Sequence, residues 1–269
     1  MEHSVVWVHG IGDHAPGYSD EWRRVFNPHL NFPDNSYAEV LWESVFDTAP
    51  GPGTRAEATT RAGQILTLTP EEAAEAERVR EELTTFLQAR ESALRTAAPD
   101  ASTRAGAEES EVWVNPAEAD VAEVTTRGGF FTWLLNPDEY LGDFVKYLVS
   151  RPIRSAVKER FKEQMRLLEQ MQPRIAVVAH SWGTVVAYDS LLDLSGERPD
   201  LEVRHLFTLG SPLWMVRRVL EDRSGRKPPN VDTWINVNAR GDLVGSWLRP
   251  AYGVDEDFQV PHIGDSGPH

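Results

Sequence analysis

With 269 residues, no cysteine and a formal net charge of −15 at pH 7, the chain is long enough for one full hydrophobic core. The absence of cysteine excludes disulfides, thiolate catalysis and cysteine-ligated zinc. The negative charge disfavours nucleic acids and anionic membranes as partners, because both repel it. No stretch approaches the roughly 20 apolar residues that span a bilayer, and the N-terminus lacks the basic residues and long apolar run of a signal peptide. We therefore expect a cytoplasmic protein without stable membrane insertion.

The first predicted element is a buried strand, Ser4–Val8, which runs directly into the glycine-rich loop His9-Gly-Ile-Gly12. Glycines let a backbone turn sharply and point its N–H groups at a ligand. The N–H of Ile11, with that of Gly12 as second choice, is therefore a candidate donor to an oxyanion. The same residues also fit an ordinary glycine-rich turn between a strand and a helix.

Residues 49–137 interrupt the expected series of strands. A second strand is predicted at residues 37–43, where apolar and polar residues alternate. The Pro/Gly-rich stretch at 49–53 then breaks the pattern. Thr69-Pro-Glu-Glu72 predicts a helix start with a capping box, and an apolar stripe follows on one helical face. The stripe consists of Val79, Leu83, Phe86, Leu87 and Leu94. The insertion is either a helical cap or lid over a functional site or a helical excursion with no part in the chemistry.

Two amphipathic helices are predicted after the insertion, at residues 140–149 and 153–171. Pro152 separates them, because proline removes a backbone donor and clashes with the preceding turn of a helix. We expect both helices to pack on the sheet.

The most informative stretch is residues 174–184, where a β-branched strand ends in Ala179-His-Ser-Trp-Gly183 and then turns helical. A serine hydroxyl is a poor nucleophile unless the backbone exposes it and a base takes its proton. A tight strand-to-helix turn with small neighbours meets the first condition. Ser181 is therefore the candidate nucleophile, and the N–H of Trp182 is a candidate oxyanion donor. His180 points away at such a turn and is interpreted as structural.

A carboxylate should follow Ser181 at the end of a later strand. Strands are predicted at Val203–Leu209 and at 234–238, and Asp242 lies in the turn after the second. Asp242 is the candidate acid, although a turn aspartate that bonds its own backbone fits the same position. Three other carboxylates fit less well, since one precedes its predicted strand and two lie in a polar acidic loop. They are Asp232, Asp255 and Asp257.

A histidine should come last, after a final predicted strand at 258–260. The two histidines there are His262 and His269. His269 is favoured as the base because the longer loop gives it room to cross back over Ser181, and His262 is the alternative. His269 is also the final residue, and a base on a frayed terminus is poorly held. Either a native tail is missing from the sequence or His262 carries the role.

These segments resemble the α/β-hydrolase superfamily, in particular its lipase- and esterase-like members. The pieces that match are Val8-His-Gly-Ile-Gly12, Ala179-His-Ser-Trp-Gly183, Thr208-Leu-Gly-Ser-Pro212, Asn238-Ala-Arg-Gly-Asp242 and a late histidine. The resemblance implies an α/β-hydrolase fold with a mostly parallel sheet flanked by helices. It further implies hydrolysis of carboxylic esters through an acyl-enzyme. Ala179 departs from the glycine usual in the family but is still small. We expect one domain over 1–269, with the cap inserted at about 49–137.

No metal or organic cofactor is expected, because neither Asp13 with His14 nor His262 with Asp265 forms a three-ligand zinc set. The expected partner is a small ester, and aromatic residues favour an apolar acyl group. They are Trp182, Trp214 and Trp247 near predicted strand ends, and the cluster at 130–135 where the insertion ends. Trp214, Trp247 and the cluster also fit burial in the core. The same triad serves thioesterases, amidases and acyltransferases. The alternative from another class is a catalytically degenerate hydrolase that acts as a binding module.

Overall fold

A computed structural model describes residues 4–10, 14–30, 36–46, 58–59, 65–96, 137–171, 174–217, 219–220 and 225–260. Its strands are β1 (Ser4–Val8), β2 (Tyr37–Val40), β3 (Ala58–Thr59), β4 (Ile65–Leu66), β5 (Ile175–His180), β6 (Val203–Leu209), β7 (Val231–Ala239) and β8 (Glu256–Val260). Six of them form an all-parallel sheet in the order β2-β1-β5-β6-β7-β8. The short strands β3 and β4 form a separate antiparallel pair.

The helices are α1 (Asp20–Leu30), α2 (Pro70–Thr96), α3 (Pro137–Val149), α4 (Arg151–Met171), α5 (Gly183–Glu197), α6 (Leu213–Val216) and α7 (Arg249–Tyr252). A 3-10 turn covers Trp42–Val45. The predicted α/β class, with a parallel sheet flanked by helices, is confirmed. Within the described ranges, no helix is long and apolar enough to cross a membrane.

The two faces of the sheet carry hydrophobic clusters of very different size. Along β1, Val6 and Val8 join the large core, whereas Val5 and Trp7 point to a smaller cluster on the other side. Helices α2, α3, α4 and α5 contribute to the large core, and α1 covers the smaller cluster. Parallel strands need cover on both faces, which explains why β1 and β5 read as continuous apolar runs rather than alternating ones.

The predicted start of α2 is confirmed in detail. The backbone N–H of Thr69 donates to the Glu72 carboxylate at 2.9 Å, and the N–H of Glu72 donates to the Thr69 hydroxyl at 3.2 Å. Of the predicted apolar stripe, Val79, Leu83 and Leu87 are buried. Phe86 differs and is 42% exposed, while the side chain of Leu94 lies outside the described residues. This part of the insertion therefore packs into the body of the protein.

Several predicted boundaries shift. The second strand ends at Val40, and Trp42 and Val45 are buried from a 3-10 turn instead, three residues apart as its period requires. The strand predicted at 234–238 begins earlier, at Val231, so the interpretation that Asp232 precedes its strand is wrong. Asp257 lies within β8 rather than in a loop. Pro152 sits in the first turn of α4, where a missing N–H costs little.

Candidate functional site

The candidate residues meet because the strands run parallel. The carboxyl ends of parallel strands lie at one edge of a sheet, and ligands bind there in open α/β folds. His9 and Gly10 follow β1, Ser181 follows β5, and Asp242 follows β7. Since β1, β5, β6 and β7 are neighbours in the sheet, residues far apart in sequence are brought to the same edge.

Ser181 occupies a strained backbone position. Its φ is +51°, and within the described residues it alone, glycines aside, has a positive φ. Such a conformation costs a non-glycine residue about 1–2 kcal/mol. The turn is held by the N–H of Ser181, which donates to the Leu209 carbonyl at 2.8 Å. Its own carbonyl accepts from the Thr184 N–H at 3.0 Å and from the Thr184 hydroxyl at 2.7 Å. The hydroxyl of Ser181 bonds to no other described residue.

Two glycines allow the loop after β1 to lie against this turn. A Cβ placed on Gly183 would lie 2.1 Å from the His9 carbonyl oxygen. A Cβ placed on Gly10 would lie 2.8 Å from the Cβ of Ser181. Because real Cβ atoms do not approach other atoms this closely, neither position has room for a side chain. The small residues singled out in the sequence are therefore explained by close backbone contact.

One of the predicted oxyanion donors can be placed. The N–H of Trp182 donates to no described residue and stands at the N-terminal end of α5, where the helix dipole favours negative charge. Ile11 and Gly12, the other candidates, lie outside the described residues. The Trp182 ring is 5% exposed and packs against Phe144, with ring centroids 3.9 Å apart. The indole therefore belongs to the hydrophobic core.

Asp242 divides its two carboxylate oxygens between two environments. Oδ1 accepts the backbone N–H groups of Val244 at 2.8 Å and Gly245 at 2.9 Å, which is the local turn bonding that the sequence allowed. Oδ2 accepts no hydrogen bond from the residues that the structure describes. A Cβ on Gly210, at the end of β6, would lie 3.0 Å from Oδ2, so this oxygen faces the strand end that also binds Ser181. The carboxylate is thus fixed by one oxygen and open at the other.

Arg90 of α2 braces the turn that carries Asp242. Its guanidinium donates to the carbonyl oxygens of Asp242 at 3.0 Å and Gly245 at 2.8 Å. The same group lies 4.5 Å from the centre of the Trp214 ring, whose indole N–H donates to the Val244 carbonyl at 2.6 Å. Burial lowers the pKa of Arg90, while the nearby Asp242 charge acts in the opposite direction. Sequence reasoning missed Arg90, since nothing local marks it among the charged residues of α2.

The three rival carboxylates have structural partners. Asp232 pairs with Arg204 on the surface at 2.7 Å. Asp255 accepts the Trp234 N–H and pairs with Lys227. Asp257 is buried and accepts the N–H groups of residues 248 and 249 together with the Asn236 amide.

The two candidate bases, His262 and His269, lie outside the described residues. His9, directly after β1, has Nδ1 2.7 Å from the Gly10 carbonyl oxygen. Burial, followed by the neighbouring His14, lowers the pKa of His9 to about 3, so this imidazole is neutral at pH 7. His180 makes a T-shaped contact with Trp22, with ring centroids 5.7 Å apart.

His9 also belongs to a group that the sequence did not reveal. Its imidazole lies with His14 and Glu43 so that one ligand atom from each falls within 4.8 Å of the others. His14 Nδ1 and Glu43 Oε2 are 3.5 Å apart. The sequence pairs His14 with its neighbour Asp13, whereas the parallel pairing of β1 with β2 brings Glu43 from beyond the next strand.

No family model matches the chain, and no curated protein sequence matches it. Among solved structures, the chain is similar to an uncharacterized protein from Pseudomonas aeruginosa at 11% identity and a TM-score of 0.29. That similarity covers 96% of this chain and 40% of the other, so this chain spans less than half of its neighbour. A likeness this remote indicates nothing about activity.

Proposed function

We propose that this protein is a serine hydrolase with an α/β-hydrolase fold that cleaves carboxylic esters. The observation that carries the proposal is the positive φ of Ser181 in the turn between β5 and α5, beside an N–H of Trp182 that has no described acceptor. A strained serine persists only where its surroundings enforce it, and such strain clusters at functional sites. An ordinary connection between a strand and a helix has no need of this geometry.

Asp242 supports the same proposal from the opposite side of β6. A triad carboxylate holds the imidazole in one tautomer and stabilises its charged form without taking the proton. That role needs a carboxylate that is itself immobile and keeps an oxygen for the imidazole. Oδ1 is bound by two turn N–H groups, and Oδ2 faces Gly210 at the strand end. Arg90 and Trp214 hold the turn in place.

In the proposed reaction, the imidazole of His269, or alternatively His262, takes the proton of the Ser181 hydroxyl as its oxygen bonds to the ester carbonyl carbon. The carbonyl oxygen becomes an oxyanion and accepts the N–H of Trp182 together with that of Ile11 or, as second choice, Gly12. The imidazolium then gives its proton to the leaving alcohol, which leaves an acyl group on Ser181. Water, activated by the same imidazole, then attacks the acyl carbonyl in the same way. The carboxylic acid is released and the Ser181 hydroxyl is regenerated. No cofactor takes part in these steps.

The test is hydrolysis of p-nitrophenyl esters by wild type, Ser181→Ala and Ser195→Ala. Ser195 is a matched control, because its hydroxyl only bonds the Leu192 carbonyl within α5. We expect turnover in wild type and Ser195→Ala, and a loss of about 10⁶-fold in Ser181→Ala, as in comparable triads. Equal turnover in Ser181→Ala contradicts the proposal. Folded wild type with no turnover of any ester favours a binding module on this scaffold. The apolar acyl group and the cytoplasmic location stay predictions.

A further inference from the structure

We propose that His9, His14 and Glu43 form a binding site for one divalent transition-metal ion of the zinc class. One nitrogen from each imidazole and one carboxylate oxygen lie within 4.8 Å of one another. Two imidazoles and a carboxylate are a ligand set that zinc uses in proteins, with water in the fourth position. Calcium and magnesium prefer oxygen ligands throughout, so the two imidazoles favour a transition metal.

His9 has the arrangement of a metal-binding histidine. Its side chain is fully buried, and Nδ1 lies 2.7 Å from the Gly10 carbonyl oxygen, which can only accept a hydrogen bond. The proton therefore sits on Nδ1, and Nε2 carries a lone pair. Nε2 is buried with no hydrogen-bond partner in the described part of the chain. Metal-ligating histidines commonly donate their other ring N–H to a backbone carbonyl in this way.

The surroundings fix His9, whereas the other two side chains are partly exposed. The Trp42 ring stacks on His9 with an interplanar angle of 14°, and its indole N–H donates to the His9 carbonyl at 3.0 Å. Glu43 follows Trp42 directly, so the 3-10 turn holds the carboxylate close to the imidazole. The side chains of His14 and Glu43 are 27% and 14% exposed, which gives an ion and its water access from solvent.

Metal binding requires a small local movement. Zinc–ligand bonds of about 2.1 Å in a tetrahedral arrangement place the ligand atoms about 3.4 Å apart. The His14 to Glu43 distance of 3.5 Å already fits, and the wider separations have to close. His14 now stacks on His9 with ring centroids 3.9 Å apart, so its ring must turn to aim a nitrogen at the ion. Partial exposure of His14 permits that rotation.

A bound ion would cross-link the chain segment that follows β1 to the 3-10 turn. His9 and His14 stand on either side of residues 11–13, and Gly10 lies against Ser181. A bound ion would tie both ends of this loop to the 3-10 turn at Trp42–Val45. The inference does not depend on ester hydrolysis, because metal affinity is measured without any substrate.

The experiment titrates the tag-free, chelator-treated protein with Co²⁺ and then displaces it with Zn²⁺. Tetrahedral Co²⁺ absorbs strongly in the visible, so its coordination is read directly. We expect one equivalent per chain for wild type, and affinity at least about 10-fold to 100-fold weaker for His14→Gln and Glu43→Gln. His205→Gln on β6 and Glu71→Gln on α2 are matched controls that should bind like wild type.

Circular dichroism of each metal-free variant establishes that it is folded before the titration. Wild type that is folded and binds neither ion overturns the proposal. Equal affinity in wild type, His14→Gln and Glu43→Gln overturns it as well, because the ion then sits elsewhere on the protein. Weaker binding by His205→Gln or Glu71→Gln also overturns the proposal, because it places the ion elsewhere on the protein.

Discussion

Asp189 and Asp242 are two carboxylates with contrasting hydrogen-bond environments. Asp189 lies in the middle of α5 with its side chain fully buried, and both of its oxygens accept hydrogen bonds. Arg154 donates to both of its oxygens at 2.6 and 2.9 Å, and Tyr147 donates at 2.8 Å. Lys158 lies 3.4 Å away. Asp242, in contrast, is satisfied by its own turn at one oxygen, while its other oxygen accepts no hydrogen bond from the described residues.

This difference in hydrogen bonding is the basis for assigning Asp189 a structural role and for proposing Asp242 as the triad acid. A buried charge must be paired and hydrogen-bonded, or it destabilises the fold. Asp189 meets that demand completely, and its three partners come from α3 and α4. Backbone donors hold the Asp242 carboxylate, and Arg90 bonds its carbonyl. Among the residues in the described ranges, none donates to Oδ2. We expect the two residues to respond oppositely to the same substitution.

Of the two aspartates, Asp242 should show the larger effect, a loss of catalysis in Asp242→Asn. The amide keeps an oxygen for the turn N–H groups but no longer stabilises a charged imidazole, so we expect kcat/KM to fall about 10⁴-fold, as in comparable triads. The melting temperature should stay close to that of wild type. Steady-state ester hydrolysis and a thermal melt measure the two quantities, and activity within tenfold of wild type removes Asp242 from the proposed triad.

Asp189→Asn should do the reverse. It leaves Arg154 and Lys158 buried with less compensating charge, which costs about 3–5 kcal/mol of unfolding free energy. Ester turnover per folded molecule should remain within about twofold, since Asp189 lies about two helical turns beyond Ser181 in the chain. Urea unfolding measures the loss. Asp200→Asn, which removes an exposed partner of Arg198, is the control and should leave the midpoint unchanged; an equal shift in both variants contradicts the comparison.

The pH dependence of stability follows from the same network. Burial alone raises the pKa of Asp189, but the hydrogen bonds and charge of Arg154, with Lys158, outweigh it and hold the value at about 2, below the ordinary 3.8. The stabilisation is therefore complete above pH 3.8 and is lost as the pH falls through about 2. We expect the difference in unfolding free energy between wild type and Asp189→Asn to shrink by about 2 kcal/mol over that range. Urea titrations at several pH values test it, and a constant difference down to pH 2 contradicts it.

The smallest expected effect tests whether the space beside Oδ2 of Asp242 is needed for activity. Gly210 and Gly253 both have left-handed backbones, with φ of +57° and +65°, so alanine should cost each about 1–2 kcal/mol of stability. Only at Gly210 does the added Cβ meet the carboxylate, at 3.0 Å, whereas nothing lies within 4 Å at Gly253. The kcat/KM of Gly210→Ala should therefore be roughly 10-fold to 100-fold lower than that of Gly253→Ala. Equal turnover in the two variants, measured with the same ester, contradicts an open site beside Oδ2.

The sequence predicted what local patterns determine. The apolar run of β1, the alternation of β6 and the capping box of α2 were placed to the residue, because each depends on neighbours in the chain. The turn at Ser181 was predicted for the same reason, since small residues must flank a crowded backbone. The later boundaries were less well predicted, and Asp232 and Asp257 proved to lie inside strands.

What the sequence did not reveal depends on contacts between distant segments. Arg90 bonds a carbonyl 152 positions away, and no helical period distinguishes it from the other arginines of α2. Glu43 reaches His9 and His14 only because β2 pairs with β1. The choice between His262 and His269 stays a prediction, because both lie outside the described residues.

The central claim, that Ser181 is an activated nucleophile, is tested most directly by intact mass after exposure to a fluorophosphonate. The reagent bonds covalently to a serine only when its proton is removed and its oxyanion is stabilised. We expect a single adduct on wild type and on Ser195→Ala, and none on Ser181→Ala. The absence of an adduct on folded wild type, or an adduct that persists in Ser181→Ala, would contradict the claim.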